Sequence, residues 1–246
     1  MDKDYVSLYH ALEESHWWFV GRRDMVWRLL KDLDRDLSIL EVGCSGGPLI
    51  RLLQREGFAK IAGIDINECS VQLCRSFGDA AVKVADGCST GFSDEQFDIV
   101  IASDVLEHIE DPIQGLREWL RILRPKGMVL VFVPAFQFLW SRHDEVNRHY
   151  RRYTRKEIVT LLEQSGFYIE RAAYWNFCFF FPALLVRTMR RIFSRQQGEK
   201  EEGDLTASGS IVNRIFERVL RAENSLLAAG LNFPFGLSLF AIARKP

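Results

Sequence analysis

Cysteine is sparse and ungrouped in this chain. The five thiols, Cys44, Cys69, Cys74, Cys88 and Cys178, are odd in number and form no CxxC pair. In a chain of 246 residues that pattern excludes a disulfide framework and a zinc ribbon. Reduced thiols, no bound metal and a cytoplasmic location are expected. No one sign of charge dominates: 32 basic residues stand against 33 acidic ones, for a net charge of -1. That balance excludes a chain that coats nucleic acid, and no nucleic-acid partner is expected. Long apolar runs are missing as well. The longest, 177–186, is about half the length that spans a bilayer and contains Pro182. The acidic, aromatic opening residues lack the basic start and apolar centre of a secretory signal.

What is present is core-forming material. Hydrophobic residues make up 48% of the chain, enough for one large α/β domain. Residues 20–35 carry apolar side chains at helical spacing. Short, nearly continuous apolar segments at 38–42, 61–65, 81–85, 97–102 and 128–133 read as strands, and helical stretches separate them. Arg124-Pro-Lys-Gly127 reads as a turn. Further strands are expected at 168–174 and 237–243, with helical patterns after Thr154 and over 211–227. Strands alternating with helices imply a parallel, doubly wound sheet with helices on both faces. The expected organisation is a single domain over 1–246. It comprises a helical cap at 1–35, a core at 36–176 and 230–246, and an apolar and basic insert at 177–229. The polar linker of that insert, about 196–210, has the composition of a disordered segment.

Ligands of such sheets bind at the carboxyl ends of the strands. The first strand ends in Glu41-Val-Gly43-Cys44-Ser45-Gly46-Gly47, where glycines let backbone approach a ligand. The second ends in Asp65, which can accept two hydrogen bonds from a ribose diol. The third ends in Asp86-Gly87, and the fourth in Ser103-Asp104-Val-Leu-Glu107-His108. The glycine loop alone fits a dinucleotide equally well. Glu41 would repel a pyrophosphate, however, and suits an α-amino group.

LEVGCSGGPL, GIDIN, VADG and FDIVIASDVLEHIEDP resemble the successive motifs of class I S-adenosylmethionine-dependent methyltransferases, in order over about residues 20–135. The resemblance implies a Rossmann-like, seven-stranded, mostly parallel sheet whose last strand is antiparallel. It implies S-adenosylmethionine as cofactor. Glu41 and Gly43 through Gly47, including Cys44, Ser45 and Gly46, would line its methionine part. Asp65 would hold the ribose, with Ile66 beside the adenine. Asp86 and Gly87 would meet the adenine, and Ser103 would lie below the methyl-transfer site. The family's middle loop glycine is Ser45 here, which implies a shifted loop or a bond from Ser45 to the cofactor carboxylate.

His108 follows the fourth strand and would face the acceptor as a base; capping the next helix is the other reading. The segment 140–154 resembles a methyltransferase branch with His-Asp-x-x-Asn-x-His-x-Arg-Arg-Tyr. His143 and His149 are candidate catalytic residues, and Asn147, Arg152 and Tyr153 candidate acceptor contacts. The plain alternative is a capped, ion-paired loop with Thr154 as N-cap and Glu157 three residues on. His143, Asp144 and His149 match no zinc spacing. The segment His16-Trp17-Trp18-Phe19, with Arg22 and Arg23, covers the cofactor in resembling proteins, or simply packs a leading helix; Trp17 is a candidate acceptor contact. Residues 174–195 combine aromatics with Arg187, Arg190, Arg191 and Arg195, which suits a lid, a dimer contact or a peripheral membrane surface. The expected function is methyl transfer to a small-molecule or lipid-like acceptor. A nicotinamide-dependent oxidoreductase and a noncatalytic cofactor-binding module are the rivals.

Overall fold

Strand β1 (Ile39–Val42) is buried at every position, as expected of a strand covered on both faces. It pairs in parallel with β2 (Ile61–Asp65) on one side and β4 (Phe97–Ser103) on the other. β3 (Ala81–Val84) extends the sheet beyond β2, and β5 (Leu123–Pro134) extends it beyond β4. β7 (Ser238–Arg244) then lies antiparallel between β5 and β6 (Tyr168–Trp175), giving the order β3-β2-β1-β4-β5-β7-β6. The expected seven-stranded, doubly wound sheet is therefore present, with its last strand reversed. These relations come from a computed structural model, which describes residues 10–78, 81–193 and 209–246. Most of the linker expected at about 196–210, and Arg195, lie outside the described residues.

Helices begin where capping residues allow. α3 (Pro48–Arg55) starts with proline, which loses no hydrogen bond in the first turn. α4 (Glu68–Ser76) is capped by the Asn67 side chain, and α5 (Pro112–Ile122) by that of Asp111. α7 (Arg155–Gln164) carries the expected Thr154/Glu157 capping box. Two details differ from expectation. The 124–127 turn is absorbed into β5 as an irregularity, with the register shifting between Phe97 and Ile99 and Lys126 at a φ of 63°. The leading helix also starts earlier. Residues 10–15 are helical (α1), and α2 (Trp17–Leu30) contains the aromatic segment itself. Its first amide, Trp17 N, donates to Asn213 Oδ1 of α9 (Ser210–Ala228) at 2.8 Å, so a distant side chain fixes the start.

α2 and α9 pack closely. A Cβ at Gly21 would lie 2.3 Å from Leu220 Cδ2, so only glycine admits this approach. Asn224 joins the pair, donating to Gly21 O at 2.8 Å and Asp24 Oδ2 at 2.9 Å and accepting from Trp175 Nε1 at 2.8 Å. α8 (Phe180–Phe193) runs from the end of β6 across the carboxyl edge of the sheet. Among the described residues, no helix is long and apolar enough to cross a membrane.

One surface network has a predictable pH signature. The Glu118 carboxylate accepts from Arg121 Nε at 2.8 Å and from Thr90 N at 2.9 Å. Arg121 and Thr90 hold its pKa down to about 2. A depressed carboxyl pKa stabilises the fold above the unfolded value of about 4.3, and that stabilisation is lost as pH falls toward 2. Urea melts of wild type and Glu118→Gln should therefore differ fully above about pH 4.5 and converge toward pH 2. A gap independent of pH would contradict this assignment.

Candidate functional site

Three recesses lie over the carboxyl ends of the strands. The largest, 870 Å³, is lined by Gly43, Ser45, Asp65, Ile66, Asp86, Gly87 and Ser103, among others. Seven of the residues expected at the cofactor thus face one cavity. Gly43 has a φ of 71°, and a Cβ there would lie 2.6 Å from Val105 Cγ2, so the turn out of β1 requires glycine. Asp65 organises the loop. Its carboxylate accepts from Ser45 N at 2.9 Å and Asn67 N at 2.8 Å. Burial pushes its pKa up, and these two amides pull it back.

Ser45 takes the left-handed conformation usual for glycine, with a φ of 47°. Its hydroxyl donates to Glu13 Oε2 at 2.8 Å, so α1 is what the substituted loop position engages. Glu41 and Cys44 face a small cleft that shares Glu13, Arg22, Gly43 and Ser103 with the main cavity. Glu41 Oε2 is buried there without a hydrogen-bond partner, and burial raises its pKa well above the usual carboxyl range. An ammonium group would satisfy that acceptor. Gly46 and Gly47 do not reach the cavity: Gly46 lies against Leu73, and Gly47 against Cys74 of α4.

A second cavity of 470 Å³ adjoins the first at Asp104, His108 and Asn147, which line both. It gathers His108, His143, His149, Asn147, Arg152 and Trp17, the residues singled out in the sequence from three separate segments. Tyr153 is the exception. Its backbone bridges to Ala135, its ring is 2% exposed in the core, and its hydroxyl donates to Leu106 O at 3.1 Å. The other walls are apolar. The Trp17 ring meets Phe179 at a tilt, centroids 4.6 Å apart, and Phe216 edge to face at 5.4 Å, and Pro182, Ala183 and Val186 of α8 complete the enclosure.

Asp144 is the anchor of the polar end. It is fully buried in α6 (Arg142–Val146). It accepts from Arg152 Nε at 2.8 Å, Arg152 Nη2 at 3.0 Å and Ser141 N at 2.8 Å, and pairs with His149 Nδ1 at 2.9 Å. Burial would raise its pKa, but His149, Arg152 and the Ser141 amide hold it far below the usual range. The 140–154 segment is thus both ion-paired and cavity-lining. Arg22 pairs with Asp104 where the two cavities adjoin, its guanidinium 4.6 Å above the Trp18 ring. Glu13 and Asp104 carried no role in the sequence, and Arg22 and Phe179 stood out there only as parts of their segments. Only their packing across the fold brings them here.

The comparisons with known proteins agree with this geometry. The model of a methyltransferase-domain family matches residues 19–172. A Mycolicibacterium smegmatis protein named a probable S-adenosylmethionine-dependent methyltransferase is 30% identical over 166 residues, covering 65% of this chain and 63% of that protein. A ubiquinone biosynthesis O-methyltransferase of Alkalilimnicola ehrlichii is 36% identical over 115 residues, covering 44% of this chain and 46% of the relative. The chain thus spans less than two thirds of the length of these curated relatives. Among solved structures, the methyltransferase in complex with the Haloferax volcanii Trm112 activator superposes with a TM-score of 0.65 at 16% identity, covering 99% of this chain and 95% of that one. Haemonchus contortus phosphoethanolamine N-methyltransferase 2, solved with S-adenosylmethionine, gives 0.60 at 19% identity over 90% of this chain and 51% of that one. The family match over most of the chain, on a sheet of this order with these strand-end residues, establishes that the chain belongs to the class I S-adenosylmethionine-dependent methyltransferase family.

Proposed function

We propose that this protein transfers the methyl group of S-adenosylmethionine to an acceptor with an apolar body and a polar head. The reading rests on one observation: a polar cavity at the strand ends adjoins an aromatic cavity at Asp104, His108 and Asn147. When bound, the cofactor supplies a sulfonium-activated methyl group, so the protein's task is mainly alignment. Asp65 would hold the ribose hydroxyls, Asp86 and Gly87 the adenine, and Glu41 the α-amino group. Ile66 would cover the adenine from outside, and Ser103 would lie beneath the sulfonium. On the acceptor side, Trp17, Phe179 and Val186 would exclude water. Asn147 and Arg152 would orient the polar head, and His108, His143 and His149 would face the reacting atom. These histidines suit a small-molecule or lipid-like hydroxyl or amine, whose proton must leave.

The test is methyl transfer from labelled S-adenosylmethionine into a metabolite and lipid extract. One labelled product is expected from wild type. Phe179→Ala should raise the acceptor KM about tenfold, as expected for losing one aromatic wall worth about 1–3 kcal/mol, and leave cofactor affinity unchanged. No labelled product, or a Phe179→Ala enzyme unchanged in KM, would contradict the assignment.

α8 supports a second contact. Phe181, Leu185 and Met189, spaced four apart, are 62%, 61% and 49% exposed on this helix. That stripe fits a membrane interface from which a lipid-like acceptor would be drawn. Wild type should float with anionic phospholipid vesicles, and Leu185→Glu should not. Equal flotation of the two, or none, would remove membrane contact from the account.

A further inference from the structure

Glu107 does nothing in the reading above, yet its placement is costly. It follows β4 in a single 3-10 turn and is 0% exposed. Neither carboxylate oxygen meets a hydrogen-bond donor from another residue. An isolated buried carboxylate is strongly disfavoured unless it is neutralised or meets a cation. The cations that act on it are Arg22 and Arg152, but Arg22 pairs with Asp104, and Asp144 and the Ala135 carbonyl engage Arg152.

Two imidazoles stand beside that carboxylate. One donor atom each from Glu107, His108 and His149 lies within 4.8 Å of the other two, the only such group among the described residues. The rings of His108 and His149 meet edge to face, with centroids 4.6 Å apart. Each imidazole is also held from outside the group. His149 Nδ1 is 2.9 Å from Asp144 Oδ1, and the His108 ring is hydrogen-bonded to the backbone of Asn147. A carboxylate or carbonyl behind the distal nitrogen is what fixes an imidazole as a metal ligand. Asp144 is itself held by Arg152 and the Ser141 amide, so the support continues outward by another layer.

We propose that Glu107, His108 and His149 bind a divalent cation of the zinc class. Two nitrogens and one carboxylate oxygen match the donor set of open zinc and related sites. Three protein ligands would leave at least one coordination position for another donor, and Glu107, His108 and His149 all line the acceptor cavity. The cation would therefore take an oxygen donor on the acceptor's polar head and set its distance from the methyl group. This last role rests on the methyltransferase reading; the site itself rests on the three side chains.

The experiment uses the full chain after dialysis against a chelator. It is titrated with zinc chloride and, separately, with S-adenosylmethionine. One equivalent of zinc should bind to wild type. Glu107→Gln and His149→Ala should each bind it at least about tenfold more weakly, with the affinity for S-adenosylmethionine and the circular dichroism unchanged. Cobalt loaded into wild type should show no thiolate charge-transfer band, which separates this site from the cysteines without relying on any variant. Absence of zinc binding, equal affinity in both variants, or a thiolate band would each overturn the proposal. A protein that binds S-adenosylmethionine but no zinc loses this inference alone. One that binds zinc but no S-adenosylmethionine loses the methyltransferase reading and the acceptor-positioning role with it.

Discussion

Asp144→Ala is expected to lower the stability of the protein by about 3–5 kcal/mol, the cost of stranding a buried charge. Asp144 is 0% exposed, and the Arg152 side chain is only 4% exposed. Removing the carboxylate leaves the guanidinium with one backbone acceptor, Ala135 O at 3.2 Å, and leaves the Ser141 amide without its partner. For a domain of this size the thermal midpoint should fall on the order of 10 °C. Replacing both partners, as in Asp144→Leu with Arg152→Met, should recover most of the loss, because a buried pair exchanged for apolar side chains is often neutral. A single variant that melts like wild type would show that the pair is not buried. A double variant no better than the single one would show that shape, and not the stranded charge, sets the cost. Either way His149 loses the group that orients it, so methyl transfer should suffer even in the rescued protein.

Asp65→Ala is expected to weaken S-adenosylmethionine binding by about 1–3 kcal/mol, roughly 5- to 150-fold. Two effects combine. On the proposed reading the ribose hydroxyls lose their acceptor, and the loop loses the bond from Ser45 N that holds a non-glycine residue at a φ of 47°. Asp65→Asn separates them. It retains one carbonyl acceptor and should restore part of the affinity, whereas a loop that depends on both oxygens would leave Asn no better than Ala.

The strands of the core were readable because strands buried on both faces are written as short, nearly continuous apolar runs. Ile39–Val42 and Phe97–Ser103 are examples. Polar residues at their ends stand out against those runs, so Asp65, Asp86 and Ser103 could be placed before any fold was seen. The glycine loop was readable only in part. Gly43 faces the cavity because it is the turn out of β1, whereas Gly46 and Gly47 face α4, and linear spacing does not distinguish the two directions. Tyr153 was misplaced for the same reason. It adjoins Arg152 in the chain, but the bridge from Tyr153 to Ala135 sends successive side chains to opposite sides. Glu107 was hidden beside His108: the single 3-10 turn buries one side chain and leaves its neighbour exposed in the cavities. The cavity wall made by α8 was the least legible part. It depends on Trp17 meeting Phe179 and Phe216 across sequence separations that no local pattern encodes.

All of this depends on the strand ends forming a cradle for an adenosyl-sulfonium ligand. Calorimetric titration of the wild-type protein and Asp65→Ala with S-adenosylmethionine, alongside NAD, tests that claim most directly. One equivalent of S-adenosylmethionine should bind to wild type, with the weakened affinity stated above in the variant and no heat from NAD. Binding of NAD without S-adenosylmethionine, or identical affinities in the two proteins, would contradict it.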